Sequence, residues 1–394
     1  MKHKIILGAL FLAIFLVSFG HVFLLLDQEK ESSAESESNS AKQTESVIET
    51  EDPSSSQTMG VVSEDFTYSA WIPDWGSSAG LESLERNPNT LDTISPVWYE
   101  INEDGSLRDK RPNNWEQIRD FAIIEQIELV PAIAMFDHEL FSKVLQNEQS
   151  LSRHIEQIHT EVVSNNYAGI DLDYESTKLE DKEKFFELLE RLDTRLENDK
   201  KTLIFTVLPK WGTEEYNSLK ETRQVQDWER IAEYADYIRI MAYDYTYSLS
   251  PKPGPIAPLN WMEQVLDYAV ERVPREQLIL GIHLYSYEWW CDLSDTDCEL
   301  EFTPIAFANV GAGKRARSYT YSTVLTVLNK FGSNISEFDG EQIYRYEKDG
   351  EERMLVFIDP AGVQTRVDLA KEYRIKGVSF WRLGGEQDLL DGLE

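Results

Sequence analysis

The chain has 394 residues, more than one hydrophobic core ordinarily holds, so one large domain with appendages, or two domains, is expected. Apolar residues make up 41% and aromatics 11%, which excludes a wholly disordered chain. Acids outnumber bases 71 to 38, a net charge of −33 that repels phosphate backbones and excludes a basic nucleic-acid surface. Two cysteines are too few for a disulfide-built miniprotein or a cysteine zinc cluster.

Lys2 and Lys4 precede an apolar run over residues 5–26. A bilayer span needs about 20 such residues and a secretory core about 7–15, so the run reads as a membrane anchor with the body outside the cytoplasm. A cleaved signal peptide of unusual length is the alternative, and export follows either way. Residues 27–65 hold ten serines, eleven acids and two lysines. Such a stretch buries too little apolar surface to offset its conformational entropy and is expected to act as an extended, disordered tether.

From residue 66 onward the pattern alternates. Strand-like runs occur at 66–71, 93–99, 129–135, 168–174, 202–208, 237–243, 278–284 and 377–381, with amphipathic helical stretches clearest at 115–127, 182–196 and 261–273. Eight βα units in about 330 residues predict an α/β fold, a (β/α)₈ TIM barrel, with a doubly wound open sheet as the alternative. Between the last two strands lies too much chain for one helix. A helix at 323–330, strands near 342–346 and 354–358 joined by Asp349-Gly350, and a helix at 365–373 predict a small α+β insertion over about 286–372. It either sits on the catalytic face or decorates a loop without a chemical role.

The most informative stretch is Tyr167-Ala168-Gly169-Ile170-Asp171-Leu172-Asp173-Tyr174-Glu175. A buried parallel strand is normally apolar throughout, yet here three acids recur at i, i+2 and i+4. Side chains alternate across a strand, so Asp171, Asp173 and Glu175 share one face at about 6.6 Å spacing, and in a barrel that face is the interior. Three buried acids without a use would cost several kcal/mol. Close like charges cannot all ionise, so at least one carboxyl must hold its proton near neutral pH, as a general acid does; Glu175, nearest the open end, is the natural one. A magnesium or calcium site and a solvated edge strand are the competing readings.

These residues resemble glycoside hydrolase family 18, the chitinase-like enzymes, whose signature is Asp-Gly-x-Asp-x-Asp-x-Glu. The glycine and last three acids match; Ala168 replaces the first Asp, which puts the tuning of Asp171 in doubt, and Tyr174 replaces a frequent Trp. Met241-Ala242-Tyr243-Asp244 resembles the family's Met-x-Tyr-Asp, Trp381 its sugar-floor tryptophan, and Pro253-Gly254-Pro255 members related to spore-cortex hydrolases. The resemblance implies substrate-assisted, retaining hydrolysis of β-1,4-linked N-acetylglucosamine glycans, without cofactor or metal, by a monomer. It implies that Glu175 protonates the leaving oxygen, that Asp173 and Tyr243 hold the acetamido group, and that Asp171 accepts or shares a proton from Asp173. It further implies that Asp244, Trp381 and Met241 line the sugar site. A catalytically inactive glycan-binding protein on the same barrel is the second expectation, and a structural barrel that organises an outer layer the third.

Among the other residues, Trp71, Trp75, Trp98, Tyr99, Trp211, Tyr285, Trp289 and Trp290 lie at strand ends and could line a groove. His283 reads as a satisfied structural histidine, and Cys291 with Cys298 as a disulfide-closed loop outside the cytoplasm.

Overall fold

The computed structural model describes residues 66–393, except 219, 251, 292–315 and 333. Among the described residues no helix is long and apolar enough to cross a membrane. The apolar leader, the acidic tether and Cys298 lie outside them.

Eight parallel strands close into a barrel. In chain order they are Thr67–Pro73, Thr93–Ile101, Ala132–Met135, Gly169–Tyr174, Thr202–Val207, Tyr237–Ile240, Leu278–His283 and Gly377–Trp381. Each pairs with the next, the eighth pairs with the first, and the first with the second, so no open-sheet edge remains between them. The third is shorter than the apolar pattern suggests, because Pro131 has no N–H to donate and splits Glu128–Leu129 from Ala132–Met135. Alternation sorts the side chains. Ile170, Leu172 and Tyr174, or Leu203, Phe205 and Val207, face outward into the core beneath the helices. Several helices start on side-chain caps: Asp137 accepts from the N–H groups of Glu139 and Leu140, Asn147 from Gln149 and Ser150, and Asp359 from Gly362 ahead of Pro360. Each such cap stabilises its helix by about 1 kcal/mol.

The seventh strand runs, after Leu284 alone, into a second sheet. Its order is Arg317–Thr320, Tyr285–Cys291, Glu351–Phe357, Glu341–Lys348, Ile335–Phe338, antiparallel throughout. Asp349 and Gly350 both take positive φ, 59° and 77°, as a two-residue hairpin turn requires. Ile256, Tyr287, Trp289, Ile343, Met354 and Val356 form a small core of their own. Helix Pro360–Glu372 then returns the chain to the barrel.

Candidate active site

The inward positions of the barrel are unusually polar. Along the fourth strand Gly169, Asp171 and Asp173 face in, and Glu175 follows one residue past the strand end, its N–H on Met135 O at 3.0 Å. Gly169 is required here, since a Cβ would meet Thr202 O at 2.1 Å. Ala168 lies three residues before Asp171 and therefore on the other side of the strand. Asp171 has other partners.

Asp171 is fully buried and bound on both oxygens. Oδ2 accepts from Trp71 Nε1 and from Arg239 Nη1, each at 2.9 Å, and Oδ1 accepts from Thr206 Oγ1 at 2.8 Å. Arg239, also fully buried, donates to Ser95 Oγ at 2.5 Å as well, and its guanidinium lies 5.2 Å from the centre of the Trp71 ring. Asp173 is buried, and its Oδ1 has no hydrogen-bond partner among the described residues. Burial first, then the Glu175 and Asp171 charges, push its carboxyl well above the usual range. Glu175 is pushed up to about 7 by burial, with Lys220 pulling down and Asp244 pushing up. A carboxylic acid that keeps its proton to about 7 is suited to general acid work at neutral pH.

The sixth strand supplies the facing wall. Beyond Ile240 the chain makes two successive tight turns, Ala242 N–H on Ile240 O and Tyr243 N–H on Met241 O, and carries Arg239, Met241 and Tyr243 along one side. Tyr243 is half-buried, and its phenol is pushed well above its usual value by burial and by the Asp173 and Glu175 charges, so it stays a donor. Gly281 of the neighbouring strand makes room for it: a Cβ there would sit 3.1 Å from the Tyr243 ring. Asp244, in the left-handed region at φ 59°, accepts from the hydroxyls of Tyr285 and Tyr287, the latter at 3.0 Å. The surrounding protein pushes its carboxyl up while those two hydrogen bonds pull it down. Trp381 ends the eighth strand half-buried, edge-on to Trp71 at 5.9 Å, and Trp71 in turn touches Asp171. Met241 is buried without joining the outer core.

Residues predicted at the site are thus brought to one end of the barrel, and several were missed. Arg239, Thr206 and Ser95 are inward polar residues in otherwise apolar strands, the same signal that betrayed the acid ladder. Lys220 follows the fifth strand in a loop without a pattern. The groove aromatics separate. Trp71 is 2% exposed and serves Asp171; Trp98 and Tyr99 are core; Trp211 packs edge-on against Trp261 at 5.2 Å. Trp289 is buried, Trp290 lies under the Arg317 and Arg353 guanidinia, and Trp75 is exposed at the rim beneath Arg382.

His283 is not the satisfied histidine expected. It is fully buried, neither ring nitrogen has a hydrogen-bond partner among the described residues, and Nε2 stands 3.6 Å from Glu341 Oε1. Burial and the Arg366 charge hold its pKa well below the usual value, so the ring is neutral. Among the described residues no group of three or more His, Cys, Asp or Glu is arranged to hold a metal ion. The Cys291–Cys298 pairing involves a residue outside those described.

The chain is 24% identical over 320 residues to the uncharacterized glycosylase YvbX of Bacillus subtilis (strain 168), covering 79% of this chain and 86% of that one. It is 25% identical over 293 residues to the cortical fragment-lytic enzyme of Bacillus anthracis, covering 73% of this chain but only 63% of that protein. By fold it resembles the Bacillus cereus spore cortex-lytic enzyme SleL, with a TM-score of 0.71 at 21% identity over 82% of this chain and 73% of that one. It also resembles a chitinase from Chromobacterium violaceum, with a TM-score of 0.69 at 20% identity over 82% and 96%. The family model described as "Glycosyl hydrolases family 18" matches residues 75–386. The chain therefore belongs to glycosyl hydrolases family 18 and is a glycoside hydrolase.

Proposed function

We propose that this protein is an exported, membrane-tethered glycoside hydrolase that cleaves β-1,4-linked N-acetylglucosamine glycans of chitin or peptidoglycan type, with retention and with the substrate as nucleophile. The observation that carries the reading is Glu175, pushed up to about 7, beside a buried Asp173 whose Oδ1 is unpartnered, with the Tyr243 hydroxyl protonated across from both. Such a set suits a 2-acetamido sugar. Glu175 gives its proton to the glycosidic oxygen as the bond to the anomeric carbon breaks. The sugar's own acetamido oxygen closes onto that carbon from the opposite face. Asp173 accepts the acetamido N–H and offsets the positive charge of the oxazolinium, while Tyr243 donates to its oxygen. Water then attacks the anomeric carbon, loses a proton to Glu175, and restores both the acid and the acetamide.

Trp381 offers an apolar ring face to a pyranose, Met241 fills the wall beside it, and Asp244 is available to sugar hydroxyls at its solvent side. Relatives named for cortical fragments and for chitinase activity support polymers of this chemistry. Two lysines before a 22-residue apolar run, then an acidic tether, support export with the barrel outside the cytoplasm.

Product analysis on chitooligosaccharides and purified peptidoglycan tests the reading. Wild-type protein is expected to release reducing ends from at least one, with inhibition by a thiazoline that mimics the oxazoline. Glu175→Gln is expected to lower the rate about 10²–10⁴-fold. Wild-type protein that binds both polymers and cleaves neither would replace the hydrolase with a glycan-binding protein.

A further inference from the structure

Arg382 follows Trp381 directly and has no part in the chemistry above. It leaves the eighth strand at the end of the barrel where Glu175 leaves the fourth, and Trp75 lies two residues past the first strand. Strands one and eight pair, Ala70 against Phe380, so Arg382 and Trp75 share one stretch of rim beside the sugar floor. The guanidinium carbon stands 4.1 Å from the centre of the Trp75 ring, and Trp75 is 71% exposed.

Nη1 of Arg382 is fixed. It donates to the carbonyls of Leu383 and Gly384, at 3.2 and 3.3 Å, and lies between Gly76 and Gly384, where a Cβ would come within 3.1 and 3.2 Å of it. Nε and Nη2 donate to no acceptor among the described residues, and no carboxylate among them forms an ion pair with Arg382. The acid whose charge reaches it is Glu386, and that carboxylate is already taken by Ser83, Arg86 and the Gly384 N–H. With 71 acids to 38 bases, an arginine of this chain finds a carboxylate easily, as Arg111, Arg153, Arg191 and Arg230 do. Arg382 instead keeps a half-buried charge with two nitrogens uncommitted, and a guanidinium fork matches a carboxylate.

The two candidate polymers differ at this point. In chitin every unit is neutral. In peptidoglycan N-acetylglucosamine alternates with N-acetylmuramic acid, so the neighbour of an N-acetylglucosamine held on Trp381 bears a 3-O-lactyl group. That group ends in a carboxylate, or in a peptide stem with carboxylates of its own. We propose that Arg382 and Trp75 form a subsite for this acidic neighbour. Trp75 holds the guanidinium flat and offers the sugar an apolar edge, while Nε and Nη2 take the carboxylate. Arg382 is thus a specificity-determining residue that favours an acidic glycan over chitin. Asp171, Asp173, Glu175 and Asp244 would repel the same carboxylate elsewhere in the cleft, so the cation also sets where the acidic unit can lie. The proposal deepens the hydrolase reading, and its effect on cleavage rests on that reading.

The full chain and four tetrasaccharides at one ionic strength test it: chitotetraose, the peptide-free alternating acid, its carboxyl methyl ester, and the alternating acid with peptide stems. Wild type is expected to cleave the peptide-free acid with kcat/KM about tenfold above the ester, which keeps the shape and loses the charge. Arg382→Met should bring the acid down to the ester and leave the ester and chitotetraose within about twofold of their wild-type values, while Arg382→Lys keeps about a third of the preference. A loss in Arg382→Met confined to the stemmed strand would name the stem as the source of the carboxylate and still support the subsite. Acid and ester cleaved alike by wild type, with the stemmed strand indifferent to Arg382→Met, would overturn it. A folded Arg382→Met that slows every substrate equally would overturn it too, since Arg382 would then only brace the two carbonyls. The ester comparison needs no variant and decides even if Arg382→Met does not fold.

Calorimetric binding to Glu175→Gln separates this proposal from the hydrolase reading. The acid should bind about tenfold more tightly than the ester, and lose that margin in Glu175→Gln/Arg382→Met. Should wild type cleave no glycan at all, the hydrolase reading fails, and the presence or absence of the binding margin still decides whether Arg382 reads a carboxylate.

Discussion

Two arginine–carboxylate pairs of this molecule are almost wholly shut off from solvent. Arg239 meets Asp171 at 2.9 Å inside the barrel, and Arg366 meets Glu341 at 3.2 Å where the inserted sheet joins it. Distance and burial do not tell them apart, but their surroundings do. Glu341 accepts from the backbone N–H groups of Ile256 and Ala257, at 2.8 and 2.6 Å, and Arg366 donates to the carbonyls of Ala257, Gly340 and Gly362. That pair fastens main chain: the loop that follows Tyr243 and Asp244, the inserted hairpin, and helix Pro360–Glu372. Asp171 and Arg239 bind side chains only, and leave two arginine nitrogens without partners. The first arrangement secures a shape. The second sets a field beside acids that must titrate. An ion pair's partners, more than its geometry, indicate which of the two it serves.

The comparison can be broken most easily at Glu341. Glu341→Ala strands Arg366 and two buried N–H groups, and is expected to cost about 3–5 kcal/mol of stability. It should leave the pH at which activity declines where it was. Denaturant melts paired with pH–rate profiles check this. A moved profile at unchanged stability would reverse the assignments of the two pairs.

A smaller effect is expected from Glu175→Gln on stability. The folded state raises the Glu175 proton affinity, from 4.5 to about 7, so between those values it binds a proton that the unfolded chain has released. The contribution of Glu175 is therefore fully present below about 4.5 and lost as pH rises through about 7. Glutamine does not titrate. The variant should match wild type near pH 4 and exceed it by about 1–2 kcal/mol, a few degrees in Tm, at pH 8, a figure reduced below the full shift because the side chain is partly open to water. Calorimetry at the two pH values checks the sign. The same ionisation predicts that hydrolysis falls as pH rises through about 7, since the general acid is lost.

The smallest effect sharpens the role of the inserted sheet. Tyr285→Phe removes one of two hydroxyls from Asp244 and should cost about 1 kcal/mol in kcat/KM, roughly fivefold, with little change in Tm. Kinetics on a soluble chitooligosaccharide would detect it.

The barrel and its acids were legible because each rests on a local period. Outward Ile170, Leu172 and Tyr174 and inward Asp171, Asp173 and Glu175 announce both the strand and its two environments. Arg239 carries the same signal, four residues before Tyr243 and on its side of the strand, but a single cation in Tyr237-Ile238-Arg239-Ile240 reads as a strand end unless its partner is known. That partner lies 68 residues away in sequence. The strand Tyr285–Cys291 was hidden differently. Tyr285, Tyr287 and Trp289 alternate with Ser286 and Glu288, yet the run follows the seventh barrel strand with one residue between, so the aromatics Tyr285 and Trp289 read as groove lining at a strand end. Glu341, Arg366 and His283 gather from three segments far apart in sequence, and no period connects them.

That single-residue joint at Leu284 has an engineering consequence. The seventh stave continues without slack into the sheet whose tyrosines grip Asp244, so a shortened or transplanted connection must reproduce the exit direction of the stave and both phenols. A chain rejoined across this stretch could keep a sound barrel and still hold sugar loosely on that side.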